Sequence, residues 1–177
     1  MKVLKTILDD CIIIEPKVYA DDRGFFLETF QLNRYKNEAG IYENFVQDNF
    51  SRSSKGVLRG LHFQKLKPQG KLVRVVKGEV FDVAVDIRKD STSFGKWVSV
   101  ILSEDNKKQL WVPPGFAHGF VVLSDFADFE YKCTDYYDPS DEESILWNDP
   151  DLNINWPIDN PNLSDKDANA KKLSDLR

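Results

Sequence analysis

Along most of this chain apolar and polar residues alternate with a period of two, the pattern of strands that bury one face. In KLVRVVKGEVFDVAVDIR, Glu79, Phe81, Val83, Val85 and Ile87 fall on one parity, and Val80, Asp82, Ala84, Asp86 and Arg88 on the other. Lys77-Gly78 between the two runs reads as the turn of a hairpin. ENFVQDNFSRS, GVLRGLHFQ, KWVSVILS, GFVVLS and FADFEYKCT read as further short strands, spaced as in an all-β sandwich or barrel. Helical spacing is sparse. TFQLNRYKNEAG predicts a helix closing on Gly40, and a second helical segment is expected from Ser164 onward. Between Asp138 and Asn162 the chain is rich in Asp, Pro and Asn and reads as loop laid over the barrel. No repeat or linker interrupts the pattern, so residues 1–177 are read as one domain.

Parity also sorts the polar residues. Phe129, Tyr131 and Cys133 share a face, so Tyr131 points inward, either as a core tyrosine with a buried partner or as a cavity group. Asp82 and Asp86 lie opposite the fully apolar parity of their strand. They line a polar cavity if that apolar face is the outer one, covered by a second sheet or a partner subunit; otherwise they are solvated.

Composition narrows the function classes. With 177 residues, 41% apolar and 12% aromatic, the chain is long enough for one real core. A net charge of -5 excludes a general nucleic-acid binder, although Lys65, Lys67, Lys71 and Arg74 form a local basic cluster suited to a small anion. MKVLKTILDDCIII lacks the features of a signal peptide, and no run reaches the roughly 18 apolar residues of a membrane span. Cys11 and Cys133 lack metal or redox spacing and read as buried, reduced thiols of a cytoplasmic protein.

The two histidines carry the candidate chemistry. His118 closes Pro114-Gly115-Phe116-Ala117-His118, which resembles the second half of the cupin metal signature. The first half is missing, because Gln64 stands two residues after His62 where a second histidine is required; no metal site is expected. A neutral imidazole is instead suited to general-base work near neutrality, given an orienting carboxylate and a complementary acid. Asp82, Asp86 and the aspartates of NLSDKDANA are the candidate carboxylates, and Tyr131 the candidate acid. Ser164-x-x-Asp167 is also close to a capping box, so Asp167 serves either a helix start or the base.

Seven segments, in order, resemble the dTDP-4-dehydrorhamnose 3,5-epimerase family: DDRGFFLETF, FVQDNFSRSSKGVLRGLHFQ, QGKLVRVVKGEVFDVAVDIRKDS, VPPGFAHGFVVLS, YKCTDYYDP, ILWNDPDLNINWP and LSDKD. The resemblance implies an all-β, cupin-type double-sheet jelly roll with a few short peripheral helices, one near the C-terminus. It implies a homodimer that needs no cofactor and inverts C3 and C5 of a dTDP-4-keto-6-deoxyhexose on the route to dTDP-L-rhamnose. By the same resemblance His62 is the base, Asp167 its orienting carboxylate, Lys71 the cation beside the developing enolate and Tyr131 the proton donor. Arg23, Glu28, Gln47, Asp48, Asn49, Arg59, His118, Glu142 and Lys166 are implied substrate contacts, and Tyr137 stacks on thymine. The family exchanges N-terminal strands between subunits, so Arg23 is expected to serve the partner's pocket. Glu130 stands where relatives carry an apolar residue, on the outward parity.

Two other readings share these residues: an epimerase of one carbon on a related nucleotide-linked keto-sugar, and a non-catalytic sugar-binding cupin. A binding module has no need of a base facing an acid. One structural consequence is specific. Arg59 and His62 are three residues apart and face opposite ways in a regular strand, so their reaching one substrate requires a bulge at or near Gly60.

Overall fold

The structure, a computed structural model, describes residues 1–176. Two antiparallel sheets pack face to face as a jelly roll. The larger contains β1 (Lys2–Lys5), β2 (Ile12–Glu15), β5 (Gln47–Ser54), β7 (Lys71–Lys77), β10 (Gln109–Val112) and β12 (Phe126–Cys133), in the order β1-β2-β10-β7-β12-β5. The smaller contains β6 (Leu58–Gln64), β8 (Glu79–Asp86), β9 (Trp97–Ser103), β11 (Phe116–Val122) and β13 (Glu142–Ser144), in the order β13-β6-β11-β8-β9. A separate hairpin, β3 (Val18–Asp21) with β4 (Gly24–Leu27), belongs to neither.

Between the sheets Val73, Val75, Val80, Leu102, Leu110 and Phe129 form the central core. A second core lies outside the smaller sheet, where Phe81, Val83 and Val85 are covered by Leu152, Ile154, Trp156 and Leu173 from the C-terminal third. Trp156 meets Phe81 edge-on at 5.7 Å, and the indole N–H groups of Trp97 and Trp156 donate to the backbone carbonyls of Leu152 and Trp147. The segment read as loop therefore seals one face of the sheet. It also contributes β13, three residues long and too short for alternation to reveal. On the larger sheet α1 (Leu32–Ala39) buries Tyr35 against Ile14, Leu72 and Trp111. It ends, as expected, at Gly40, whose φ of 70° is the left-handed cap geometry that glycine adopts most cheaply.

The expected hairpin at Lys77-Gly78 is a correction. β7 and β8 lie in different sheets, and Gly78 (φ 80°) is the corner where the chain crosses between them. A Cβ there would sit 2.1 Å from the Phe126 carbonyl oxygen. Alternation on both sides of a turn looks the same whether the second strand pairs with the first or faces it. β8 pairs instead with β11 and β9.

The irregularity expected at Gly60 is present. Along the ladder of β6 with β11, His62 opposes His118 and Arg59 opposes Phe120, so three steps on β6 match two on β11. Gly60 has φ 127° and is joined to Leu61 by a cis peptide bond. A Cβ on Gly60 would lie 2.6 Å from the Gly119 Cα, and one on Gly119 would lie 2.7 Å from the Arg59 carbonyl oxygen. Two glycines face each other here because the strands approach too closely for side chains.

Candidate active site

The bulge turns Arg59 and His62 toward the same cavity, of about 340 Å³, which opens between the sheets. The smaller sheet supplies Arg59, His62, His118, Phe120 and Glu142 to it; the larger supplies Gln47, Asn49, Ser51, Lys71, Phe129 and Tyr131. Gln69 and Tyr137 complete the wall. A larger recess, about 810 Å³, lies elsewhere, against β2 and Arg88, and contains neither histidine.

His62 Nε2 lies 2.6 Å from Asp167 Oδ1. Burial works to raise the Asp167 carboxyl, but His62, the Ser164 hydroxyl and the Gly60 backbone together hold it below its ordinary value. An ionised carboxylate only accepts, so in the neutral ring Nε2 carries the proton and Nδ1 the lone pair. Nδ1 faces Glu142 Oε1 at 4.0 Å. Asp167 also occupies a helix start: its own N–H donates to Ser164 Oγ at 3.1 Å, at the head of α2 (Asp165–Ala168). The cap and the histidine contact are thus two ends of one residue, backbone and side chain, and the two readings do not compete.

Across the cavity Tyr131 sits on β12 in the opposite sheet, near Asn49 and beside Phe129 at 6.0 Å between centroids. Burial, with Cys133 and Glu142 adding to it, pushes its phenol up to about 12, against the opposing pull of Arg59 and Asn49. It holds its proton across the neutral range. The Lys71 ammonium makes no salt bridge or hydrogen bond among the described residues; burial draws it below the ordinary 10.5, against the opposing pull of Cys133, Glu142 and Asp82. An unpaired cation in a low-dielectric wall is strongly disposed toward an oxygen that gains negative charge.

Asp82, fully buried, holds His118 Nε2 at 2.9 and 3.0 Å. The alternatives left open for Asp82 and Asp86 are both replaced: the apolar parity is indeed outermost, yet the chain's own C-terminal third covers it, not a second sheet or partner. Asp86 is also at 0% exposure, closed on Arg88, Ser91 and Ser93 at the start of the loop after β8. Neither aspartate borders the cavity.

The profile of the dTDP-4-dehydrorhamnose 3,5-epimerase family matches residues 5–175. A dTDP-4-dehydrorhamnose 3,5-epimerase of Shigella flexneri is 59% identical over 99% of this chain and 97% of its own. The chain belongs to this epimerase family. The crystal structure of dTDP-6-deoxy-D-glucose-3,5-epimerase from Legionella pneumophila, in complex with dTDP-4-keto-L-rhamnose, superimposes with a TM-score of 0.95 at 59% identity, covering 99% of this chain and 96% of that one. A 3'-monoepimerase from Streptomyces bikiniensis, in complex with dTDP-quinovose, matches with a TM-score of 0.89 at 32% identity, covering 97% and 87%. These neighbours place the jelly roll among the epimerases of the family, and the chain is an isomerase of that class.

Of the residues that the family resemblance singled out, the cavity gathers Gln47, Asn49, Arg59, His62, Lys71, His118, Tyr131, Tyr137 and Glu142. Asp167 and Lys166 approach from behind, Lys166 bonded to Glu142. Three do not reach this chain's cavity. Arg23 sits at the tip of the β3 and β4 hairpin, paired with Asp21; Glu28 pairs with Arg34 at 3.4 Å; Asp48 pairs with Lys132 at 3.0 Å. For Asp48 the reason is strand alternation, which sends Gln47 and Asn49 inward and their neighbour out. The basic cluster divides likewise: Lys71 faces in, Arg74 pairs with Glu130 on the outer face at 2.7 Å, and Lys65 lies 3.9 Å from Glu143. Sequence reading missed Ser53, which accepts from Arg59 Nε at 2.9 Å, and Ser144, whose buried hydroxyl has no partner among the described residues and stands across the ladder from His62. Ser53 reaches Arg59 from β5 in the opposite sheet; nothing in its local sequence marks it.

Proposed function

We propose that the protein is a dTDP-4-dehydrorhamnose 3,5-epimerase, converting dTDP-4-dehydro-6-deoxy-D-glucose to dTDP-4-dehydro-L-rhamnose in the cytoplasm as a homodimer. The observation that carries this reading is that His62 and Tyr131 face one cavity from opposite sheets. Inversion needs a proton removed from one face of a carbon and delivered to the other. C3 and C5 hydrogens are acidic only because the C4 ketone takes up the electron pair as an enolate. His62 Nδ1 removes the proton, Lys71 stabilises the enolate oxygen, and Tyr131 returns a proton to the far face. Asp167 fixes the tautomer and stabilises the imidazolium. Arg59 and His118 suit the anionic diphosphate end and Tyr137 the thymine, with Arg23 reaching the cavity of the other subunit on the hairpin.

The single-carbon reading uses the same acid and base. The 59% identity to two-carbon enzymes, against 32% to the 3'-monoepimerase, favours the 3,5 assignment. Incubation with dTDP-4-keto-6-deoxyglucose in heavy water tests it: the recovered sugar should carry deuterium at both C3 and C5. Exchange at one carbon only, or none, would reject it.

A further inference from the structure

His62 borders two spaces. Its sugar-facing side lines the cavity; its other side lines a separate recess of about 270 Å³ formed with Glu142, Ser164, Lys166 and Asp167. Glu142 borders both spaces as well. Its two carboxylate oxygens are used unequally. Oε2 accepts from the Tyr137 hydroxyl at 2.9 Å and from the Lys166 ammonium, while Oε1 has no hydrogen bond among the described residues and faces His62 Nδ1. The 4.0 Å gap is about 1 Å longer than a hydrogen bond, a distance that a newly charged imidazolium closes by attraction.

A base that serves two carbons must discharge its first proton before it can take a second. Asp167 cannot receive it, because Nε2 already holds a proton toward that carboxylate. We propose that Glu142 is the relay residue that draws the abstracted proton off His62 Nδ1 and passes it to solvent through the recess, resetting the base between the two carbons. The inference rests on the two-carbon reading above. The steps balance: the C–H electron pair stays on carbon as the enolate, the proton moves to Nδ1, then to Oε1, then to water. Tyr131 delivers its own proton and is reprotonated from solvent. Burial tends to raise the Glu142 carboxyl, but Lys166, His62 and Tyr137 outweigh it and keep it below its ordinary value, so the proton does not rest there.

Glu142→Gln keeps the size of the side chain and removes its charge. Incubated with dTDP-4-keto-6-deoxyglucose in heavy water and sampled before completion, the variant should accumulate sugar deuterated at one carbon, a species scarce with the unaltered protein at equal conversion. Its kcat should fall on the order of tenfold to a hundredfold, with KM changed much less. In Glu142→Ala, added formate should restore turnover several-fold, and a melting curve confirms that the variant is folded. A rise in KM with both exchanges slowed in step, and no rescue by formate, would reduce Glu142 to a substrate contact and overturn the relay. Absence of a second exchange in the unaltered protein would instead overturn the two-carbon reading itself.

Discussion

At the scale of single residues, the reaction depends on how few groups the cavity leaves unpaired. His62 lines the cavity and its side chain is only partly buried, so His62→Ala should leave the protein folded, with a modest loss of stability from the unpaired Asp167, while turnover falls on the order of a hundredfold or more. Asp167→Asn should cost less, because the base remains and only its tautomer and charge are disturbed; steady-state rates beside thermal melts of the two variants separate the effects. A destabilised Asp167→Asn with full turnover would show that the carboxylate serves the fold, through its Gly60 and Ser164 neighbours, and not the base. Lys71 sets the alkaline limit. Its ammonium, drawn below 10.5 by burial, loses its proton before Tyr131, which holds to about 12. As pH rises, the enolate therefore loses its cation first. Lys71→Arg, charged at any accessible pH, should shift the alkaline arm of the kcat profile upward even if its peak is lower. Two histidines in the chain narrowed the choice of base, but it was the family resemblance, not composition or spacing, that singled out His62 with Asp167, Lys71 and Tyr131. Asp82 was not legible in the sequence, since alternation gives its parity but not whether something covers the opposite face.

At the scale of elements, the bulge in β6 is what makes one site of Arg59 and His62. Gly60→Ala places a Cβ against Gly119 and forces a side chain onto φ 127°. The strain and overlap should cost about 3 kcal/mol, read as a melting temperature lower by roughly 10 °C. Turnover at permissive temperature should also fall, because His62 is displaced with the strand. An unperturbed melt would mean that the two strands can part without penalty. The bulge was inferable from the three-residue spacing once both side chains were assigned to one ligand. The corner at Gly78 was not, because a glycine between two alternating runs is equally a hairpin turn and a crossing between sheets. β13 escaped notice for a different reason: three residues carry no readable period, and its register with Gln64, Phe63 and His62 depends on the whole C-terminal third folding back.

At the scale of the whole molecule, that C-terminal third both seals the smaller sheet and delivers Asp167 to a histidine 105 residues earlier in the chain. Among the described residues no helix is long and apolar enough to cross a membrane. The opposite end of the chain is less complete: the β3 and β4 hairpin leaves Tyr19, Phe25 and Phe26 exposed, Phe26 at 68%, with Arg23 between its strands. If the hairpin docks on a second subunit, Phe26→Asp should convert a dimer into a monomer in sedimentation velocity; an unchanged sedimentation coefficient would place the interface elsewhere. The central claim is that base and acid stand on opposite faces of the sugar, and Tyr131→Phe tests it most directly. The substitution keeps the ring and removes its only acidic hydrogen. In heavy water the variant should still exchange sugar hydrogens for deuterium at His62, measured by mass, while the yield of inverted product, separated from the same sample, falls sharply. Loss of exchange in parallel with inversion would contradict the two-face assignment.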